Sequence, residues 1–158
     1  MAAVDSAGRV LIPKVLDTNV YVAALRDERT FDRLVEMLAR VMPHVWLSSV
    51  VEYELLSGAR GDAGRATVQR LLRPLVRAGR RTAPAEADWE RAGIAESEIW
   101  DAMPSQRSKP LANDLLIACT ARRIGAKIVT ENRRDFALIA RHIQHTWLSS
   151  ADLAVEVL

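Results

Sequence analysis

Short apolar runs alternate along the chain with longer stretches whose apolar positions recur at helical spacing. The apolar Val15-Leu16 follows Pro13 and stops at Asp17, which predicts a short, buried strand over Lys14 to Asp17. A helix follows from Asn19 through Val20, Ala23 and Ala24 to about Arg26, with Thr18 or Asn19 as its cap. Thr30 opens the next helix, where Phe31, Leu34, Val35, Leu38 and Val41 form a stripe that ends at Pro43. Val45-Trp-Leu47 reads as a second strand, and the helix from Val50 to Ser57, capped by Ser48 and Ser49, closes at Gly58. Asp62 to Ala78 is amphipathic, and Pro74 should kink or split it.

Thr82 to Pro84 is a minor strand or a loop, and Trp89, Ile94, Ile99 and Trp100 mark the apolar positions of a helix from about Ala87 to Trp100. Pro104 to Pro110 is the most loop-like stretch. A helix from about Leu111 to Ile124 should end at Gly125. Lys127 to Thr130 is then a strand, Asn132 a cap, Phe136 to Ile139 a short helix and His145 to Leu148 a last strand, with the tail left unassigned. Strands alternating with helices predict an α/β fold on a mainly parallel sheet with right-handed crossovers.

Composition adds boundaries to that picture. The 158 residues, 49% of them apolar, suffice for one domain with a core of its own, taken as 1–158. The sole cysteine, Cys119, lies in a helical run and reads as core, so no intrachain disulfide is expected. Met1 to Arg9 lacks the apolar segment of a leader, and no later stretch is long enough to cross a membrane. A soluble, cytoplasmic protein is expected. The net charge is only +2, yet the basic residues are arginine apart from Lys14, Lys109 and Lys127. Arginine suits bidentate phosphate contact, and the same bias also arises from composition alone. The arginines between Arg60 and Arg81 are likewise either a solvated helix face or a surface for an RNA backbone or a protein partner.

Four acids fall where strand ends and helix starts should meet: Asp17, Glu54, Asp114 and Asp135. In open α/β sheets ligands bind beyond the carboxyl ends of the strands, which favours such acids for chemistry. Each also has a bland reading. Asp17 is placed to form a turn, and Asp114 to interact with the dipole of its helix. Glu52 and Glu54 lie about 200° apart around their helix, so only one of them can enter the crevice; periodicity does not choose, and Glu54 is preferred. Carboxylates without paired cysteines or a histidine pair make an oxygen-ligand site, suited to Mg²⁺ or Mn²⁺ rather than zinc. The matching reaction is phosphodiester hydrolysis by a metal-activated water. His44, His142 and His145 are read as structural, and Trp46, Trp89, Trp100 and Trp147 as facing the core or a second subunit.

Val15-Leu-Asp-Thr-Asn-Val20, the run from Ser48 to Gly58, Asn113-Asp-Leu-Leu-Ile-Ala118 and Val129-Thr-Glu-Asn-Arg-Arg-Asp-Phe136 together resemble the four motifs of the PIN-domain ribonucleases. In particular they are similar to the VapC-type toxins of bacterial type II toxin–antitoxin systems. The resemblance runs over about 14–148. It implies a three-layer α/β/α sandwich with a central, mainly parallel sheet, an acidic Mg²⁺ (or Mn²⁺) site, an RNA substrate, a homodimer and a cognate VapB-type antitoxin. Carried over by motif, Asp17, Asp114 and Asp135 would be metal ligands and, with Glu54, the catalytic acids. Thr18, Asn19, Thr130 and Asn132 would be their polar support. Arg133 and Arg134 fill the variable positions of the last motif and depart from its commonest spelling, with substrate or antitoxin contacts as the expected consequence.

Three rival readings remain at this level. A PIN-like nuclease that processes RNA outside any toxin system would have the same acids. A non-catalytic PIN-like module would bind RNA or protein. An aspartyl-phosphate mechanism would use Asp17 as nucleophile, but its Asp-x-Asp-x-Thr pattern requires an acid where Asn19 stands.

Overall fold

The computed structural model describes residues 11–156, and of the side chains of Val41, Met42 and the last helix beyond Leu153 nothing is described. The reading of Met1 to Arg9 and the packing expected of Val41 therefore lie outside the described residues. Five strands, β1 (Lys14–Leu16), β2 (Val45–Ser48), β3 (Arg81–Thr82), β4 (Lys127–Val129) and β5 (Trp147–Leu148), form one sheet in the order β3-β2-β1-β4-β5. Every pairing is parallel, with Val15 opposite Trp46 on one side and Ile128 on the other. The chain starts in the centre, winds outward to β3, then crosses back over β1 to β4. That reversal is a topological switch point, and it opens a crevice beyond the carboxyl ends of β1 and β4.

Helices α1 (Thr18–Leu25), α2 (Glu28–Val41), α3 (Ser49–Gly58), α4 (Gly61–Arg77), α5 (Glu86–Ala102), α6 (Ala112–Arg123), α7 (Arg133–Ile139) and α8 (Ser150–Glu156) flank the parallel sheet that the patterning predicts, in the sandwich that the resemblance implies. Val15, Leu16, Val45, Leu47, Ile128 and Val129 are buried on both faces of the sheet, the signature of parallel strands covered by helices. In α6 every residue from Leu115 to Ala121 is buried, including Cys119, whose thiol burial pushes up to about 11. A helix enclosed on all sides is a rigid mount for whatever its first turn carries. Gly125 ends it with φ +67°, a left-handed conformation that glycine adopts without penalty. Ile117→Ala, at the fully buried centre of α6, should lower stability by about 3 kcal/mol in urea unfolding, because the cavity left there cannot collapse.

Several local expectations change. The cap of α1 is Asp17, whose side chain accepts from the Thr18 N–H, rather than Thr18 or Asn19. α2 starts before Thr30, and the Asp27 carboxylate accepts from both the N–H and the hydroxyl of Thr30. Pro74 does not split α4: it lies in the final turn, where little of the ladder remains to lose, and Leu71, Leu72 and Leu75 anchor the helix beneath it. β3 begins one residue before the minor strand expected at Thr82. The loop-like stretch contains a 3₁₀ turn, Pro104–Ser108.

α7 starts at Arg133 and so takes Asp135 into its first turn, and the tail forms α8. Trp89 and Ile94 are 60% and 46% exposed, because α5 packs through the smaller Ala92 and Ala95 together with Ile99. His142 meets Glu98, and His145 bonds the Ile143 carbonyl and packs edge-on to Phe136, so both serve the scaffold. No helix among the described residues is long and apolar enough to cross a membrane.

Candidate active site

Parallel pairing of β1 with β4 sets Asp17 beside Thr130, and the Asp17 N–H donates to the Val129 carbonyl at 2.9 Å. The Asp17 carboxylate caps α1 through Thr18 N–H at 2.8 Å while its other oxygen accepts from Asn19 Nδ2 and the Thr130 hydroxyl, both at 2.7 Å. Turn formation and placement at the crevice are therefore the same act. Burial raises the Asp17 pKa above the ordinary carboxylate value, against the hydrogen bonds from Thr130 and Thr18, and the nearby Glu54 charge pushes it the same way.

The choice between Glu52 and Glu54 is made by their partners. Glu52 faces the outer strand and pairs with Arg81, Nη2 to Oε2 at 2.6 Å. Glu54 turns inward, where the Thr18 hydroxyl donates to one oxygen and Asn113 Nδ2 donates to the other at 2.8 Å. Asp114 stands in the first turn of α6. Its pKa is pushed up to about 7, first by burial and then by the charges of Asp17, Asp135 and Glu54, with Lys109 opposing.

Asp135 takes a different state. Burial alone would raise its pKa, but hydrogen bonds from Lys109 and Asn132 and the charges of Lys109 and Arg134 outweigh it and hold the carboxyl below the usual range. Lys109 Nζ bonds Oδ1, and Asn132 Nδ2 reaches Oδ2 at 2.9 Å and Asp114 Oδ2 at 3.4 Å. Thr130 and Asn19 close the network: the Thr130 hydroxyl accepts from Asn132 N–H at 2.9 Å, and Asn19 Oδ1 accepts from Glu131 N–H at 3.2 Å.

All the acids singled out from sequence thus meet at the crevice, together with Thr18, Asn19, Thr130 and Asn132. Two further residues join them unannounced. In the sequence Asn113 stands out only as the neighbour of Asp114, and Lys109 only as one of three lysines.

The donor chemistry fits a hard divalent cation. Burial first, and then the charges of Asp17, Asp135 and Glu54, push Asp114 toward its neutral form although Lys109 opposes them, so a further positive charge beside Asp114 would relieve the site. Among the described residues no group of three or more His, Cys, Asp or Glu side chains is arranged to hold a metal ion as it stands. Mg²⁺ retains several waters and is commonly held by one or two carboxylates, so an open mouth of acids suits it better than a cage.

A family model described as PIN domain matches residues 14–142. Among solved structures, the chain is similar to one in the DNA-bound VapBC of Salmonella typhimurium, with TM-score 0.63 and 20% identity over 87% of this chain and 98% of that one. It is also similar to a chain of VapBC2 from Rickettsia felis bound to a promoter DNA fragment, with TM-score 0.57 and 23% identity over 87% and 98%. A chain of FitAcB from Neisseria gonorrhoeae matches with TM-score 0.56 and 22% identity over 85% and 96%. No curated protein matches the chain.

Proposed function

The chain belongs to the PIN domain family, and from that premise we propose that it is a metal-dependent endoribonuclease, hydrolysing RNA phosphodiester bonds as the toxin of a toxin–antitoxin pair. The observation that carries the proposal is the gathering of Asp17, Glu54 and Asp135 around Asp114 at the switch-point crevice, where burial first and their charges next push its pKa up to about 7. Asp17, Asp114 and Asp135 would hold Mg²⁺ or Mn²⁺. When bound, the cation supplies a water activated for attack on phosphorus and stabilises the charge that develops on the phosphate oxygens.

The chain's own groups do the rest. Thr130 and Asn19 fix the direction of the Asp17 carboxylate, and Asn132 does the same for Asp135 while touching Asp114. Glu54, oriented by Thr18 and Asn113, is placed to accept a proton from the attacking water. Glu54→Gln should therefore reduce cleavage about 100-fold. Glu52→Gln, which breaks only the outward pair with Arg81, should leave the rate within about twofold, an exposed pair being worth at most about 1 kcal/mol. Equal losses in initial rate for the two variants would remove Glu54 from this role.

RNA as substrate follows from the resemblance to VapC-type toxins. Its test is one labelled sequence offered as ribo- and as deoxyribo-oligonucleotide in Mg²⁺ and in Mn²⁺. Scission of the RNA alone is expected; equal scission of both strands would refute RNA selectivity, and binding without scission in either metal would favour the non-catalytic module.

An antitoxin partner is supported by the VapBC and FitAcB complexes in which the similar chains occur. This chain offers an apolar hollow of about 380 Å³ between α1, α3 and α4, lined by Val22, Leu25, Leu55 and Val68 and bordered by Glu54. An apolar helix seated there would lie across the mouth of the acidic site. A homodimer through the early helices completes the proposal, and a monomeric mass at micromolar concentration would count against it.

A further inference from the structure

A second hollow shares a wall with the acidic site and has no part in the chemistry above. It measures about 330 Å³ and lies between the end of α5, the 3₁₀ turn that follows it and the outer side of α7. Met103 and Leu138 give it an apolar lining, Gln106 a carboxamide, and Arg134 and Arg141 a basic rim, while Asp135 belongs both to it and to the acidic crevice. Arg134, Leu138 and Arg141 are spaced four and three residues apart, so they follow one line along α7 and just beyond it. Lys109, which caps the 3₁₀ turn, bonds Asp135 and so adds a positive charge at the residue that the hollow and the crevice share.

Apolar surface beside guanidinium groups, with one amide that both donates and accepts, is what an unstacked nucleotide needs: a face to stack on, cations for its phosphate and a partner for the base edge. A folded protein segment would not require a basic rim that continues into a phosphodiester-cleaving crevice. We propose that this hollow is a nucleotide subsite, holding one unstacked nucleotide of a single-stranded RNA next to the bond that is cut, with its base against Met103 and Leu138 and its phosphate on Arg134 and Arg141. The inference rests on the ribonuclease reading for its substrate, but it makes a separate claim about where the strand lies. It also assigns a task to Arg134, which the last sequence motif leaves variable.

The test uses the full chain carrying Asp17→Asn in Mg²⁺, so that the strand stays intact, and a fluorescent single-stranded oligoribonucleotide containing 4-thiouridine. Photo-crosslinks should map to the peptides that contain Met103 or Leu138. Adding Arg134→Ala with Arg141→Ala should weaken binding about tenfold and flatten the salt dependence by about 0.7 for each phosphate that is no longer neutralised. Leu138→Trp, which fills the hollow without altering charge, should weaken binding while leaving the salt slope unchanged. Crosslinks confined to other elements, affinity unchanged in both variants, or a duplex of the same sequence binding as tightly as the single strand would overturn the subsite.

Cleavage by the unsubstituted chain separates the two claims. Scission with unchanged affinity in the variants removes the subsite and keeps the nuclease. Crosslinks in the hollow without scission by the unsubstituted chain keep the subsite and remove the nuclease.

Discussion

Asp114→Asn should yield a metal-free protein that melts higher than the parent at pH 8 and is inactive as a nuclease. The Asp114 carboxyl has a folded pKa of about 7, against 3.8 ordinarily. A carboxyl raised on folding contributes stability that is fully present below the unfolded value and is lost as pH rises through the folded one. The metal-free parent should therefore lose stability as pH rises from the unfolded value of 3.8 to the folded value of about 7, where Asp114 at last ionises beside Asp17, Glu54 and Asp135, and should level off above it. Asp17, also raised, acts in the same direction; Asp135, lowered, contributes stability that is present above its unfolded value and is lost only in acid below it.

Discounted for the part of Asp114 that water still reaches, the gain on substitution is about 2 kcal/mol at pH 8, or about 5 °C in melting temperature for a chain of this size. Only at about pH 3.5, below the unfolded value of 3.8, should the two proteins melt together. Added Mn²⁺ should raise the melting temperature of the parent and barely move that of the variant, since binding to the native state alone stabilises it. Identical melting of the two proteins at pH 8 would mean that the four acids are not crowded as described.

Asp17→Asn should abolish cleavage while sparing the fold. Asparagine caps helices about as well as aspartate, so α1 keeps the bond to its Thr18 N–H. The substitution removes one acceptor oxygen shared by Asn19 and Thr130, at a cost of about 1 kcal/mol. Activity should fall by about 1,000-fold or more, because residues that act as a unit fail together. Single-turnover cleavage measured beside thermal unfolding separates the effects. Loss of activity accompanied by unfolding would make Asp17 a structural residue after all.

Much of this site can be read from the order of residues, for reasons that are local. Buried parallel strands announce themselves as apolar runs, and the polar residue that ends such a run at a switch point can only point into the crevice, as Asp17 does after β1. Other features depend on partners distant in the chain. Glu52 and Glu54 separate because Arg81, on the outermost strand on that side of the sheet, draws Glu52 outward, and nothing near residue 52 foretells it. Lys109 lies 26 residues before Asp135 in a segment whose composition says only turn, so its bond to that acid is a product of tertiary folding. Size assigns Trp89 to the core or to a second subunit, and small alanines let α5 approach its neighbours closely and leave the indole outside the core. The cap of α1 sits one residue before the pair that the sequence offers, a choice among adjacent polar groups that backbone direction decides.

The central claim is that this acidic crevice cuts RNA through a divalent cation, and one cycle of removal and return tests it most directly. A single preparation should cleave a labelled single-stranded RNA, lose that activity in EDTA, and regain it when Mn²⁺ or Mg²⁺ is supplied in excess, with Asp17→Asn silent throughout. Cleavage that persists undiminished in EDTA, or that the Asp17→Asn protein performs at the parent rate, would contradict it.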